Sequence, residues 1–149
     1  MPEKQTLERA REDAQEGKSP STQAGEFVRE EMHHIREGKH GAASTKQAIA
    51  IGLSKARRAG VKLGTPRGRN VSAATKQKAA RDSRRGQSGS TDHVSGKRSR
   101  ATSNALKREG HSAASKAALS RQAKSAAKKR GARSRHEAAT KASHTRKAA

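Results

Sequence analysis

The residues of this chain that are most capable of specific chemistry are its cations. Its 149 residues include 35 Lys and Arg against 13 Asp and Glu, which gives a net charge of +22. The charge is uneven, because residues 1–37 carry nine acids and six bases whereas residues 38–149 carry four acids and 29 bases. Each cation that meets a phosphate releases condensed counterions, so a segment this basic predicts a nucleic acid partner.

The aromatic content favours duplex DNA among the nucleic acids. The chain has no Tyr, no Trp and one Phe, Phe27, which lies in an apolar stripe. Modules that bind single strands or RNA loops stack bases on aromatic rings. We therefore expect the cations to track the backbone of duplex DNA, while stacking of Arg on bases leaves RNA open as an alternative.

One short basic motif, Pro66-Arg67-Gly68-Arg69, resembles the core of an AT-hook. In that motif a glycine lets the backbone approach the floor of the minor groove, and the flanking guanidinium groups lie along it. Asn70 stands where a second Pro is usual, which weakens the match. The alternative is an ordinary turn after the third predicted helix.

Histidines and acids near the middle of the second predicted helix have partial metal-ligand spacing. The group consists of His33, His34, His40, Glu30 and Glu37. A zinc site needs three or four converging ligands, and one helix face supplies two. We expect these to be solvated polar-face residues, and we predict neither a metal nor a cofactor.

The chain offers no constellation for catalysis. It has no Cys, which excludes disulfides, thiolate zinc sites and cysteine nucleophiles, and it has no phosphate-binding loop of the Gly-rich Lys-Ser/Thr type. Its acids cluster in the first two predicted helices with no scaffold to hold a pair at a fixed distance. The chain is predicted not to be an enzyme.

The large apolar residues divide the chain. Only 15 residues are Leu, Ile, Val, Met or Phe, and 11 of them lie in residues 1–63. We predict a small helical head at 1–63, a flexible Gly/Ser/Arg-rich linker at 64–111 and a basic, partly helical tail at 112–149. The expected fold class is mostly α with a large disordered fraction: a helical hairpin or three-helix head, followed by a tail that becomes helical on a polyanion.

Capping signals place three helices in the head. The first spans about residues 3–16 and stops at Gly17. The second follows Ser19-Pro20, ends at Gly38 and has an apolar stripe of Ala24, Phe27, Val28, Met32 and Ile35. The third starts at Ser44, with Gln47 in capping-box position, ends at Gly60 and has the stripe Ile49, Leu53 and Ala56.

Two resemblances accompany this pattern. The stretch Met32 to Lys39, MHHIREGK, and the box QAIAIGLS at residues 47–54 are similar to an uncharacterised family of small basic bacterial proteins, some of which are labelled as plasmid-stabilisation proteins. The resemblance implies a bacterial source and carries no mechanism. The tail resembles the Ala/Lys/Arg tails of linker histones in composition alone.

These observations predict a histone-like, nucleoid-associated protein that binds DNA largely without sequence preference, by neutralising phosphates. A polar start and the lack of a long apolar run predict a cytoplasmic, nucleoid location without membrane contact. The alternatives are an RNA- or ribosome-associated protein, and an adaptor or homo-oligomer that docks through residues 1–63. The predicted contact residues are Lys46, Lys55, Arg57, Arg58, Lys62, Arg67, Gly68, Arg69, Arg84, Arg85, Lys97, Arg98, Arg100, Arg121, Lys128, Lys129 and Arg130.

Overall fold

The computed structural model describes residues 2–67, 71–89 and 95–147 of the chain, which divides into two units, Met1–Ala114 and Ser115–Ala149. Within the described residues none of the helices combines the length and the apolar character that crossing a membrane requires. The first unit contains α1 (Lys4–Gln15), α2 (Pro20–Arg36), α3 (Thr45–Arg58), α4 (Ala73–Ser88), α5 (Gly96–Lys107) and a one-turn 3-10 helix (Ser112–Ala114). The second contains α6 (Lys116–Lys129) and α7 (Ala132–Lys147).

The three helices predicted for residues 1–63 are confirmed, together with most of their capping. The Ser19 hydroxyl accepts a hydrogen bond from the Thr22 amide, and Pro20 opens α2. The Ser44 hydroxyl accepts from the Gln47 amide, while the Gln47 side chain accepts from the amide of Ala43 rather than that of Ser44. The end of α2 is marked by Gly38, whose φ of +74° is a conformation that favours glycine.

The core of the first unit lies where α2 packs against α3 and α1. Phe27, Ile35, Ala24 and Ala56 are fully buried. Of the stripe predicted for α3, Ala56 is fully buried and Leu53 is half-buried against the core, whereas Ile49 is half-buried outside that core cluster. The inward line of α3 consists instead of small residues at four-residue spacing, Ala48, Gly52 and Ala56. A Cβ at Gly52 would lie 2.8 Å from the Cα of Val28, so the missing side chain lets the two helices approach closely.

Helix α4 packs on α3 and extends the first unit beyond residue 63. Its inward positions are Ala79, Asp82 and Gly86, and a Cβ at Gly86 would clash with the backbone carbonyl of Arg57. The Ser54 hydroxyl donates to the Asp82 carboxylate across the contact, with 2.6 Å between the oxygens. The contact is therefore made by small and polar side chains rather than by large apolar ones.

A second attachment holds the loop after α2. The amide of Gly41 donates to the carbonyl of Leu106, and that of Ala42 donates to the carbonyl of Gly110. The Thr45 hydroxyl donates to the carbonyl of Ala113 over 2.7 Å, and both Ala113 and Ala114 are buried. Residues 106–114 are thus fixed against the α2–α3 hairpin.

The predicted fold class is wrong in its large disordered fraction and its conditionally helical tail. The described residues are 75% helical, and α4 and α5 lie in the segment 64–111 that the sequence suggested was a flexible linker. The prediction weighed only large apolar residues. Small residues such as Ala79 and Gly86 bring backbones close enough for hydrogen bonds and van der Waals contact, which organises a segment that has almost no large side chains.

The second unit is helical for a local reason. The Ser115 hydroxyl caps α6 by accepting from the Ala118 amide over 3.2 Å, and neither α6 nor the described side chains of α7 include a buried residue. Ala, Lys and Arg are strong helix formers, and they make up most of α6. Propensity and capping thus take the place of a core.

Candidate nucleic-acid interface

One exposed face of α4 is basic and carries no acid. The side chains of Lys78, Arg81 and Arg84 are exposed and point away from the α3 contact. The only acid in α4, Asp82, is turned inward toward Ser54 and Arg58, with 3.8 Å between its carboxylate and the Arg58 guanidinium. The inward acid leaves a solvent-facing surface of uncompensated positive charge, which we call the α4 basic face.

A second basic face lies on α6. Arg121, Lys124 and Lys128 are exposed and follow the i, i+3, i+7 spacing that places residues on one side of a helix. Leu119, Gln122 and Ala126 follow the same spacing and are half-buried. The helix has no acid, so this α6 basic face has no internal counter-charge.

The other predicted contact residues fall into four groups, of which the inward-turned residues of α3 are described below. Most are exposed: Lys46, Lys62, Arg67, Lys97, Arg98, Arg100, Lys129 and Arg130. Arg85 is half-buried and already engaged with other groups of the protein. Gly68 and Arg69 lie outside the described residues, so the AT-hook interpretation stays a prediction.

Lys55 and Arg57 turn inward in the structure rather than toward solvent. The Lys55 ammonium lies 2.7 Å from a Glu31 carboxylate oxygen and 3.3 Å from one of Glu30, with its side chain 17% exposed. The Arg57 guanidinium is buried and donates to the carbonyl of Gly64 over 3.2 Å. Arg58 is more open, with its side chain 43% exposed, but it folds back to donate to Ser54. Their spacing in the sequence does not distinguish these three from surface cations.

The partners of Lys55 belong to a buried ionic cluster on the inner side of α2. Glu30 and Glu31 are 5% and 0% exposed, and both pair with the same ammonium group. On the other side of Glu31, its second oxygen lies 3.2 Å from Nε2 of His40. Two buried carboxylates share one lysine, which makes the cluster a concentrated site of negative charge in an otherwise basic protein.

Glu3 closes the exposed side of this cluster. Its amide donates to Glu30, and its carboxylate accepts from Lys39 over 3.1 Å and lies 2.9 Å from Nε2 of His34. These contacts, that with His34 first, hold the pKa of Glu3 below its usual value. Pairing with Glu37 and Glu3 raises the pKa of Lys39.

Sequence reasoning singled out the wrong combination of histidines and acids. His33 is exposed, whereas Glu31, His34 and His40 come together, with one potential ligand atom of each within 4.8 Å of the others. Glu31 and His34 are three residues apart on α2, and the Gly38 turn brings His40 back toward them. The i, i+3 spacing was visible in the sequence, but the reversal at the turn was not.

The sequence was also compared with known proteins. Residues 19–69 match the model of a family of unknown function, DUF6496. No curated protein and no solved structure matches the chain. The matched segment covers α2, α3 and the loop that holds His40, and stops before α4.

Proposed function

We propose that this protein is a histone-like, nucleoid-associated protein that binds duplex DNA with little sequence preference. The observation that carries the proposal is the separation of charge on α4 and α6. Lys78, Arg81 and Arg84 face solvent while Asp82 is turned inward, and α6 has five cations and no acid. Exposed cations without neighbouring acids are free to exchange their counterions for phosphates.

The shape of the two faces supports backbone contact rather than base readout. In α6 the residues between the cations are mostly Ala and Ser, and none of the residues in α4 or α6 is aromatic. A helix with such short side chains can approach a phosphate backbone closely while its Lys and Arg reach the oxygens. Nothing on either face has the aromatic platform that single-strand binders use.

The experiment measures binding of the full chain to a duplex oligonucleotide by fluorescence anisotropy over a range of salt concentrations. If about ten phosphates are neutralised, the logarithm of the binding constant falls against that of the salt concentration with a slope of about −9. A slope shallower than about −3 contradicts the proposal, because it would mean that only about three phosphates are neutralised.

A charge-matched pair of variants locates the contacts. Replacing Arg121, Lys124 and Lys128 with Gln removes three cations from the α6 basic face and should make the slope shallower by about 2.7, at about 0.9 per phosphate. Replacing Lys4, Arg9 and Arg11 with Gln removes the same charge from α1, where neighbouring acids already compensate it. Equal effects of the two variants would mean that only net charge matters and that the α6 basic face is not a contact surface.

Competition identifies the partner. Structured RNA that displaces the duplex more strongly than unlabelled DNA does, at equal salt, would overturn the DNA assignment in favour of an RNA- or ribosome-associated role. Capture of one protein that survives high salt and requires residues 1–63 would favour an adaptor role instead.

A further inference from the structure

The ionic cluster of the first unit has the donor set of a metal site. We infer that Glu31, His34 and His40 bind a divalent transition-metal ion, with Zn²⁺ as the fitting species. Nitrogen from imidazole and oxygen from a carboxylate are the ligands that Zn²⁺ takes in proteins that offer no Cys. The three side chains bring one potential ligand atom each to within 4.8 Å of the others.

The orientation of His40 is that of a metal ligand. Its Nδ1 lies 3.0 Å from the carbonyl oxygen of Gly41, and a carbonyl can only accept, so Nδ1 carries a proton. The lone pair of the neutral ring is then on Nε2, which faces an oxygen of Glu31. A hydrogen bond from the far ring nitrogen to a backbone carbonyl is the usual way in which proteins orient a zinc-binding histidine.

The carboxylate of Glu31 is buried without a hydrogen bond. Both of its oxygens are sealed from solvent, and neither the His40 contact at 3.2 Å nor the Lys55 contact at 2.7 Å has hydrogen-bond geometry. The Lys55 ammonium, which Glu31 shares with Glu30, offsets part of the cost of burying this carboxylate, and a directly bonded cation would offset the rest. The neutral ring of His40 would also point its lone pair at an anionic oxygen of Glu31, and the two would repel each other. A cation bound between them would be coordinated by both.

The distance between Glu31 and His40 fits coordination, and His34, within 4.8 Å of both, reaches the ion by a side-chain adjustment. Two ligands about 2.0 Å from a tetrahedral Zn²⁺ are about 3.3 Å apart, and Oε1 of Glu31 lies 3.2 Å from Nε2 of His40. The rings of His34 and His40 are 6.0 Å apart between centres and nearly perpendicular, so neither blocks the other. The exposed carboxylate of Glu3 lies 2.9 Å from Nε2 of His34 but is not grouped with the other two ligands, so water would complete the coordination.

The charge of the cluster also accommodates a cation. The carboxylates of Glu3, Glu30 and Glu31 outnumber the ammonium groups of Lys39 and Lys55 that pair with them. A bound ion would tie His40 to α2, and with it the loop whose amides donate to the carbonyls of Leu106 and Gly110. Metal binding would therefore strengthen the attachment of that segment to the hairpin, since an ion that binds only the folded state stabilises it.

The test uses the full chain, stripped of metal with a chelator and titrated with Co²⁺. We expect visible absorption bands of four-coordinate Co²⁺ that saturate at one ion per chain and disappear when Zn²⁺ is added. Zn²⁺ should also raise the thermal unfolding temperature. X-ray absorption of the zinc-loaded wild type should show two imidazole ligands and an oxygen. Six-coordinate spectra, or binding that does not saturate, would overturn the inference.

The variants His40→Gln and His34→Gln should each weaken Co²⁺ affinity tenfold or more. The matched control is His33→Gln, because His33 neighbours His34 in sequence but is exposed. Circular dichroism checks that each variant is folded, and the wild-type X-ray absorption result remains decisive if one is not. Loss of affinity in His33→Gln equal to that in His40→Gln would contradict the assignment. Loss of metal binding would leave the salt dependence of DNA binding unchanged, so the two proposals fail separately.

Discussion

The two units of the chain are helical for different physical reasons. In Met1–Ala114 the α2–α3 hairpin buries Phe27, Ile35 and a pair of carboxylates, and α4 is fixed by the contact of Gly86 with the backbone of α3. In Ser115–Ala149 a serine cap and Ala-rich composition support α6 without any buried residue. Burial stabilises the first unit and local helix propensity stabilises the second. Substitutions of buried residues should therefore matter most in the first unit, and changes of helix propensity in the second.

The largest expected effect is loss of the Phe27 ring. Phe27 is 0% exposed, and replacing it with Ala leaves a cavity that should cost about 3–5 kcal/mol of unfolding free energy. Hydrogen exchange of the α2 and α3 amides measures this, with Phe27→Leu as a milder control. Amides of α6 should be unaffected, and DNA affinity should barely change because the α6 basic face is intact. A cost below about 1 kcal/mol would show that the ring does not hold the hairpin.

A smaller effect is expected where α4 packs on α3. Gly86→Ala places a methyl group against the carbonyl of Arg57 and should destabilise that contact by about 1–3 kcal/mol, seen as faster exchange in α4. The control is Gly25→Ala in α2, where a Cβ meets nothing within 4 Å. That change should stabilise the helix by about 0.5–1 kcal/mol. If both variants are stabilised, α4 is not packed on α3 as described.

The smallest effect is expected in α6, where propensity dominates. Ala123 is exposed in the middle of the helix, so Ala123→Gly should cost about 1 kcal/mol and raise exchange locally in α6. Exchange in α2 and α3 should stay the same. Propagation of the change into the hairpin would mean that the second unit contributes to the stability of the first.

Capping residues and apolar periodicity predicted the first three helices well. Ser19 and Ser44 set helix starts by accepting from amides three residues away, and Pro20 fits the first helical position; the sequence displays these signals directly. The same reasoning was wrong about the segment 64–111, since it took a scarcity of Leu, Ile, Val and Phe to mean a flexible linker. Alanine and glycine contribute little burial each, yet they permit the close backbone approach that Gly86 and Ala79 make.

The candidate sites also combine features that the sequence shows with features that only the fold decides. The excess of positive charge and its position along the chain are visible in the sequence without knowledge of the fold. Which cations face solvent is a different matter, as Lys46 is exposed while Lys55 pairs with buried Glu31. The i, i+3 spacing of Glu31 and His34 was equally visible, but the return of His40 through the Gly38 turn was not.

The sequence by itself determined the helical character of the hairpin, its caps and the basic charge of the chain, because these depend on neighbours within a few residues. Only the tertiary structure decided that Asp82 turns inward while Lys78, Arg81 and Arg84 face solvent. It alone placed Glu31 and His40 together, and it alone fixed residues 106–114 against the hairpin. The physical reason is that burial and long-range contact depend on which backbones come close in space, and small residues set that distance without a periodic signal of their own.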